Sequence, residues 1–166
     1  MPLTADIILG VSATLTNVLD LVTATAPLNL KTSVSLTNGT GANKAQKVFS
    51  DRRTLASGAN ENLDLAGALT DAFGATLTFA DIKAIYLSAL STNTTTVTLT
   101  APATNGYVGL FAALGDGLNI PPGGAVLLVA PGADGWGVVV AGTGDLLNVA
   151  NAAGASATYD IVIIGE

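Results

Sequence analysis

The clearest fold signal in the chain is the stretch LNLKTSVSLT, residues 28–37. Leu28, Leu30, Val34 and Leu36 fall on one side of an extended chain together with one threonine, and polar side chains fall on the other. A period of two is typical of a β-strand with one buried face. The stretch ends at Asn38-Gly39, a pair that favours a tight turn. It therefore predicts a strand with one face in a core.

The same signature recurs along the chain. Val97 and Leu99 alternate with threonines, whereas residues 159–164 are largely apolar on both faces and predict a strand that is either central or covered. Residues 82–90 and 125–130 are short apolar runs between turn formers, typical of buried strands. We expect eight to ten short strands separated by glycine or proline turns, which favours an all-β antiparallel β-sandwich of jelly-roll-like form.

Three segments carry more specific predictions or two interpretations. Residues 125–140 predict a hairpin that reverses at Pro131–Gly135 and continues as a strand from Trp136. Residues 7–19 fit either an amphipathic helix or a strand, and residues 65–73 fit one helical turn. We expect a single domain over residues 1–166, with residues 1–27 as an extended arm or a peripheral strand.

Charge is scarce. Charged residues make up 11% of the chain, whereas soluble domains carry about 25%. Thr, Ser and Asn supply most of the polarity instead, and Thr favours extended backbone. Because surface charge normally keeps monomers apart, this composition indicates a surface that is covered in the working state. The alternative is a neutral, Thr-rich surface facing water.

The net charge of −6 argues against broad binding to nucleic acid, because that binding relies on neutralising phosphates. No Lys or Arg follows Lys83. One basic cluster is formed by Lys44, Lys47, Arg52 and Arg53, and it suits contact with an acidic surface of a partner. The alternative for this cluster is a solvated turn.

The sequence lacks the residues of common catalytic and cofactor sites. It has no His and no Cys, so Ser–His and Cys–His catalysis, imidazole or thiolate metal ligation and disulfides are excluded. No Walker or dinucleotide-binding loop is present, and we expect no cofactor. The most apolar stretch, residues 124–142, is broken by Pro131 and several glycines, so no membrane span is expected.

Acidic residues leave two alternatives open. A pair of carboxylates on a sandwich can hydrolyse glycosides, and loop carboxylates can bind calcium. Most of these acids adjoin glycine or asparagine in predicted turns, where Asp binds local backbone N–H groups. We therefore predict that the protein is not an enzyme. The acids concerned are Glu61, Asp64, Asp71, Asp116, Asp134 and Asp145.

Trp136 is the only tryptophan and follows a predicted turn. An exposed aromatic beside an acidic loop could stack on a sugar or contact a partner protein. A single Trp that opens a strand is more often buried in the core. Both interpretations of Trp136 remain open at this stage.

Several stretches in fixed order resemble small virion-associated structural proteins of tailed bacteriophages, and the resemblance covers the chain from about Leu28 onward. It implies a particle component with a jelly-roll-like sandwich, and it identifies no functional residues. The stretches are Leu36–Ala42, Val48–Asp51, Arg53–Leu55, Asn62–Gly67, Phe79–Tyr86, Pro121–Gly124, Leu127–Pro131, Ala141–Leu147 and Tyr159–Gly165.

Together these observations predict a capsid decoration or cement protein on the outer surface of a phage head. Its expected partners are copies of itself, with a trimer favoured, and the major capsid protein. One alternative is a receptor- or glycan-binding module of a fibre or tail tip. The other is a component of the tail or neck.

Overall fold

The computed structural model of the chain describes residues 2–166. Within that range the backbone forms eleven β-strands and no helix, so these residues include no helical segment able to cross a bilayer. The strands are β1 (Ala5–Val18), β2 (Thr23–Asn38), β3 (Lys44–Ala45), β4 (Lys47–Leu55), β5 (Asn60–Asp64), β6 (Ile82–Ala89), β7 (Val97–Thr100), β8 (Gly117–Ile120), β9 (Ala125–Val129), β10 (Leu146–Asn151) and β11 (Ala157–Gly165).

The last eight strands form two antiparallel sheets of four, with the orders β4-β11-β6-β9 and β5-β10-β7-β8. Four antiparallel pairs are nested along the chain: β4 with β11, β5 with β10, β6 with β9, and β7 with β8. Two more pairs, β6 with β11 and β7 with β10, complete the sheets. The two sheets pack on each other, which confirms the all-β, antiparallel prediction.

The main core lies between these two sheets, which we call the body. Strands of both sheets alternate buried and less buried positions, as the period-two pattern predicted. Val97 and Leu99 are fully buried, as predicted, and pack in one cluster with Leu147, Ile85 and Ile161 from the other strands. Burying one such side chain stabilises the fold by roughly 1.5–3 kcal/mol. The predicted central position of the last strand is also confirmed, because β11 lies between β4 and β6.

The predicted hairpin over residues 125–140 is wrong. Within residues 2–166 the strand β9 pairs only with β6, and residues 136–140 form turns and isolated bridges instead of a strand. Two successive turns carry the chain away from β9. The first is closed by a hydrogen bond from Gly135 N–H to Gly132 O, and the second by one from Gly137 N–H to Asp134 O. Gly135 has a φ of +53° and lies against the carbonyl of Ile82 where a Cβ would not fit. The glycine at position 135 therefore allows this segment to pack against Ile82, the first residue of β6.

Both ambiguous segments lack helix. Residues 7–18 belong to β1, and residues 65–73 form turns with one isolated bridge at Thr70. The strand interpretation of β1 prevails because every residue of β1 pairs with β2, from Ala5 opposite Leu36 to Val18 opposite Thr23.

The strands β1 and β2 form a long two-stranded ribbon, which we call the hairpin arm (residues 5–38). Its strands have 14 and 16 residues, whereas the central strand β11 has nine. The short strand β3 pairs with the end of β2 in parallel, through Thr37 and Asn38. The arm thus includes most of residues 1–27 and continues through the whole of β2.

Candidate interaction surface

The hairpin arm has one apolar and one polar face. The register places Val11 opposite Leu30, Ala13 opposite Leu28 and Leu15 opposite Ala26. These side chains share a face because alternate residues of paired strands project to the same side. The opposite face presents mainly polar side chains, namely Asp6, Ser12, Thr14, Thr16, Thr23, Thr25, Asn29, Lys31, Ser33 and Ser35.

The apolar face is exposed over most of its length. The side chains of Val11, Leu15 and Leu30 are 59%, 76% and 62% exposed, and Leu21 at the tip is 95% exposed. An isolated two-stranded hairpin is only marginally stable in water, and a continuous exposed apolar patch usually marks an interaction surface. The distal arm therefore has the properties of a surface that another molecule covers.

The base of the same face is already packed against the body. Ile7 and Leu36 are buried in a second apolar cluster with Ala84 of β6. Partly buried residues from the arm and from the outer face of the sheet β4-β11-β6-β9 surround this cluster, among them Leu9, Val34, Leu127, Val129 and Ile164. The arm is thus anchored at its base and free beyond Leu9.

A groove remains beside this anchored base. Its volume is about 250 Å³ and its lining is mostly apolar. Tyr86, Leu127 and Val162 lie on its sheet side and are only partly buried. The register places Tyr86 next to both Val162 and Leu127. This receiving patch, defined as Tyr86, Leu127 and Val162, continues the surface that binds the base of the arm. Leu127 lies at the margin of the base cluster, whereas Tyr86 and Val162 lie outside it.

The four residues of the predicted basic cluster do not lie together in the structure. Arg52 lies on the outer face of β4 and binds Asp160 of β11 through two hydrogen bonds of 2.5 and 2.8 Å. This contact holds the pKa of Asp160 below its usual range, mainly through the hydrogen bond from Arg52. Arg53 points to the opposite face and binds Asp51 and Glu61.

The two lysines of that cluster lie apart from both arginines. Lys44 is on β3, where its side chain packs against Gly39. Lys47 begins β4 and lines a small apolar pocket with Phe73, whose ring is largely exposed. No single basic patch forms from these four residues. Neighbouring positions of β4 project to opposite faces, Lys47 lies at the other end of β4 from the arginines, and Lys44 is on β3.

Trp136 lies in a turn and not at the start of a strand. Its backbone N–H donates to Ile82 O at 2.8 Å. The ring is partly buried, and the indole Nε1 is buried without a hydrogen-bond partner among the described residues. Trp136 is therefore neither a fully buried core side chain nor a freely exposed ring.

The acidic residues behave mainly as acceptors for nearby backbone groups. Asp64 accepts from Ala66 N–H, Asp71 from Ala75 N–H, and Asp116 from Ala113 N–H, each at 2.8 or 2.9 Å. This confirms the interpretation of these acids as turn residues. Within residues 2–166, no group of three His, Cys, Asp or Glu side chains is placed to hold a metal ion.

Glu61 instead takes part in a polar cluster between the sheets. It accepts a hydrogen bond from Tyr159 Oη at 2.7 Å and forms an ion pair with Arg53. The guanidinium of Arg53 also lies 5.5 Å from the centroid of the Phe49 ring, within range of a cation–π contact. The cluster links β5, β4 and β11 and has the character of a structural bridge.

We predict that two buried tyrosines, Tyr159 of this cluster and Tyr107 elsewhere in the core, make the fold sensitive to alkaline pH. Burial and the bond to Glu61 raise the pKa of Tyr159 far above its ordinary value of 10.0, and burial raises that of Tyr107. The unfolded chain then releases protons above pH 10 that the folded chain retains, so stability is lost as pH rises. Each tyrosine should cost about 1.4 kcal/mol per pH unit above about 10.

Urea denaturation at several pH values measures this effect. Tyr159→Phe should roughly halve the alkaline slope, because Tyr107 alone then contributes. An equal slope in the Tyr159→Phe variant and the parent would contradict the prediction.

The sequence matches no known protein-family model, and comparisons with curated proteins and with solved structures find no significant match.

The sequence pattern missed the main feature of the surface. It predicted that the Leu28 to Leu36 face lies in a core, but only Leu36 is buried and Val34 partly buried, while Leu28 and Leu30 are exposed. Val11, Ala13 and Leu15 alternate with polar residues in the same way as Leu28 and Leu30. Two such segments separated by a short turn were the available sequence signal for a two-stranded ribbon.

Proposed function

We propose that this protein is a non-enzymatic structural protein that works by packing against other protein subunits. The observation that carries the proposal is the exposed apolar face of the hairpin arm, from Val11 and Leu30 to the tip at Leu21. The low charged fraction of 11% supports it, because such a surface gives little repulsion between neighbours.

We also infer that the body is a jelly roll. The nested pairs β4 with β11, β5 with β10, β6 with β9 and β7 with β8 are those of an eight-stranded ribbon rolled into two sheets. Jelly rolls are common among viral capsid proteins and lectins. The strand order therefore supports a role in a particle or in recognition, and it does not distinguish between them.

The particular role that we propose is decoration of the outer capsid surface of a tailed phage. Two observations support this role: the resemblance of the sequence to small virion-associated phage proteins, and the exposed apolar face of the hairpin arm. In this role copies of the chain associate with each other, as a trimer, and with the major capsid protein. Such cementing needs no chemistry, because surface buried across subunit junctions opposes the pressure of packaged DNA.

The mechanism depends on multiple contacts. About 800 Å² buried per partner is enough for stable association. When one assembly touches two capsid subunits, the second contact becomes intramolecular and strengthens overall binding. The basic side chains of Lys44 and Lys47 remain candidates for contact with acidic capsid surface.

Two measurements test this proposal. Light scattering on the purified protein should give a mass above that of one chain, and the protein should bind to empty phage shells and raise the temperature at which they break. A protein that fails to bind shells would argue against the decoration role. Electron cryomicroscopy of the particle would separate a head position from a tail or neck position.

A glycan-binding module of a fibre or tail tip is the second candidate. It is favoured by the position of Trp136, which is partly exposed in a turn next to Asp134 and Gly135. In a glycan array, binding by the parent that Trp136→Ala abolishes would support this function. A parent that binds no glycan would argue against it.

A further inference from the structure

We propose that the apolar face of the hairpin arm of one copy packs onto the receiving patch, Tyr86, Leu127 and Val162, of a second copy. This inference rests on the proposed assembly function and names the partner of the arm. It applies to copies of this chain in solution, whether or not they are bound to a capsid.

The first argument is continuity of the surfaces. The base of the arm already packs its apolar face, through Ile7, onto the outer face of the sheet near Ala84 and Ile164. The same arm face continues outward as Val11, Leu15 and Leu30, and the same sheet face continues as the receiving patch. Each chain thus exposes both halves of a contact that it already makes at the base.

The second argument is that neither surface carries a charged group without a partner. The apolar arm face carries no charged residue from Ala5 to Leu15 or from Ala24 to Leu36, since Asp6 and Lys31 project from the opposite face. The three side chains of the receiving patch are also uncharged. The charged groups nearest the contact already have partners. Asp6, which lines the groove, accepts from Ser35 Oγ, and Arg52 and Asp160, which lie beside Val162, pair with each other. Covering the patch would therefore leave no charged group without a partner, which avoids a large cost.

The third argument is reach. The nine residues of β1 beyond Leu9 span about 30 Å at roughly 3.3 Å per residue. A sheet of four strands is about 19 Å wide at roughly 4.8 Å between strands. Because the arm is anchored only as far as Leu9, its free part is long enough to cross the sheet of a neighbour.

The fourth argument is area, which favours reciprocal exchange of arms over a contact made by one arm. From Val11 to Val18 the ribbon is about 26 Å long and about 10 Å wide, so its face covers about 260 Å². One arm alone falls well below the roughly 800 Å² per partner of a stable interface. If each copy gives one arm and receives another, the area per chain doubles to about 520 Å², which is much closer to that value.

Oligomeric state in solution gives the first test. Leu15→Asp combined with Leu30→Asp places two charges on the apolar face and should convert the oligomer to monomer. The matched control is Thr14→Asp with Asn29→Asp, which adds the same charge to the polar face of the same strands and should leave the oligomer intact. Circular dichroism shows whether both variants remain folded.

Disulfide trapping gives the second test. Because the chain contains no cysteine, only the introduced cysteines can form a disulfide. A protein with Leu15→Cys mixed with a protein with Val162→Cys should form a mixed disulfide under mild oxidation. Thr14→Cys in place of Leu15→Cys should form little, because that side chain faces away from the contact.

The outcomes separate this inference from the capsid role. A mixed disulfide and a monomeric double variant would support arm exchange, even if the protein never binds a shell. Three results would overturn the inference: a parent that is monomeric at all concentrations, equal effects of the two charged variants, or disulfides between two arms in preference to arm and sheet.

Discussion

Replacing Lys83 with methionine is expected to lower the free energy of unfolding by about 3–5 kcal/mol. The Lys83 side chain is fully buried on β6. Its Nζ lies 3.1 Å from Asp81 Oδ1 and 3.0 Å from Glu166 Oε1. It also donates to the carbonyl oxygens of Gly132 and Ala133 at 2.9 and 2.5 Å. The substitution would leave two largely buried carboxylates without their cation.

Lys83 also determines how the loop after β9 meets the end of β11. Its ammonium group joins the loop of Gly132 and Ala133 to Glu166, and Glu166 Oε1 in turn accepts from Gly41 N–H at 2.6 Å. One buried cation thus links three segments that are distant in sequence. We expect loss of Lys83 to loosen all three, which hydrogen exchange of the Gly41 and Gly135 amides would report.

The loss should depend on pH. Burial raises the pKa of Asp81 above its ordinary value although Lys83 opposes the shift. Without Lys83 that pKa should rise further, so the folded variant would take up protons at a pH where the unfolded chain does not. Stability of the variant should therefore increase as pH falls, and its deficit should be smaller at about pH 5 than at about pH 7.

Urea denaturation of the parent and the variant measures this prediction. The matched control is Lys47→Met, since Lys47 is a strand lysine that makes no ion pair among the described residues. Adding Asp81→Asn and Glu166→Gln to Lys83→Met should recover part of the loss, because no unpaired buried charge remains. A deficit below about 1 kcal/mol at neutral pH would refute the assigned role.

Shortening the hairpin arm is expected to abolish self-association while the body stays folded. Residues 10–31 would be replaced by Asn-Gly, so that Leu9 and Thr32, which face each other in the ribbon, flank a two-residue turn. The base residues Ile7 and Leu36 would keep their packing on the body. The main core between the sheets contains no arm residue, so its stability should change little.

Light scattering and thermal unfolding together test this prediction. The expected result is a monomeric mass with a cooperative transition near that of the parent at low concentration. Full-length protein with Thr14→Asp and Asn29→Asp is the control for added polarity on the arm. A shortened protein that still assembles would show that the body alone carries the interface.

The sequence determined the class of fold because burial within a strand depends on a local pattern. Alternation at Val97 and Leu99, and the double-sided apolar run from Tyr159 to Ile164, predicted which strands are half buried and which is central. Both predictions hold because neighbouring side chains of a strand project to opposite faces whatever the strand pairs with. The acids of turns were equally predictable, since their acceptor role involves backbone only a few residues away.

Pairing partners and the position of the surface were decided by tertiary structure alone. Residues 136–140 looked like the partner of β9, but glycine turns direct them onto β6, a contact 54 positions apart for Trp136 and Ile82. The local pattern also predicted that Leu28 and Leu30 lie in a core, although both are exposed. Alternation indicates that a strand has one apolar face, but it does not indicate which molecule covers that face. Here β1 pairs with β2 beyond the edge of the body, so that face lies open. The sequence thus fixes which side chains share a face, and only the three-dimensional arrangement determines whether that face meets the same chain or another molecule.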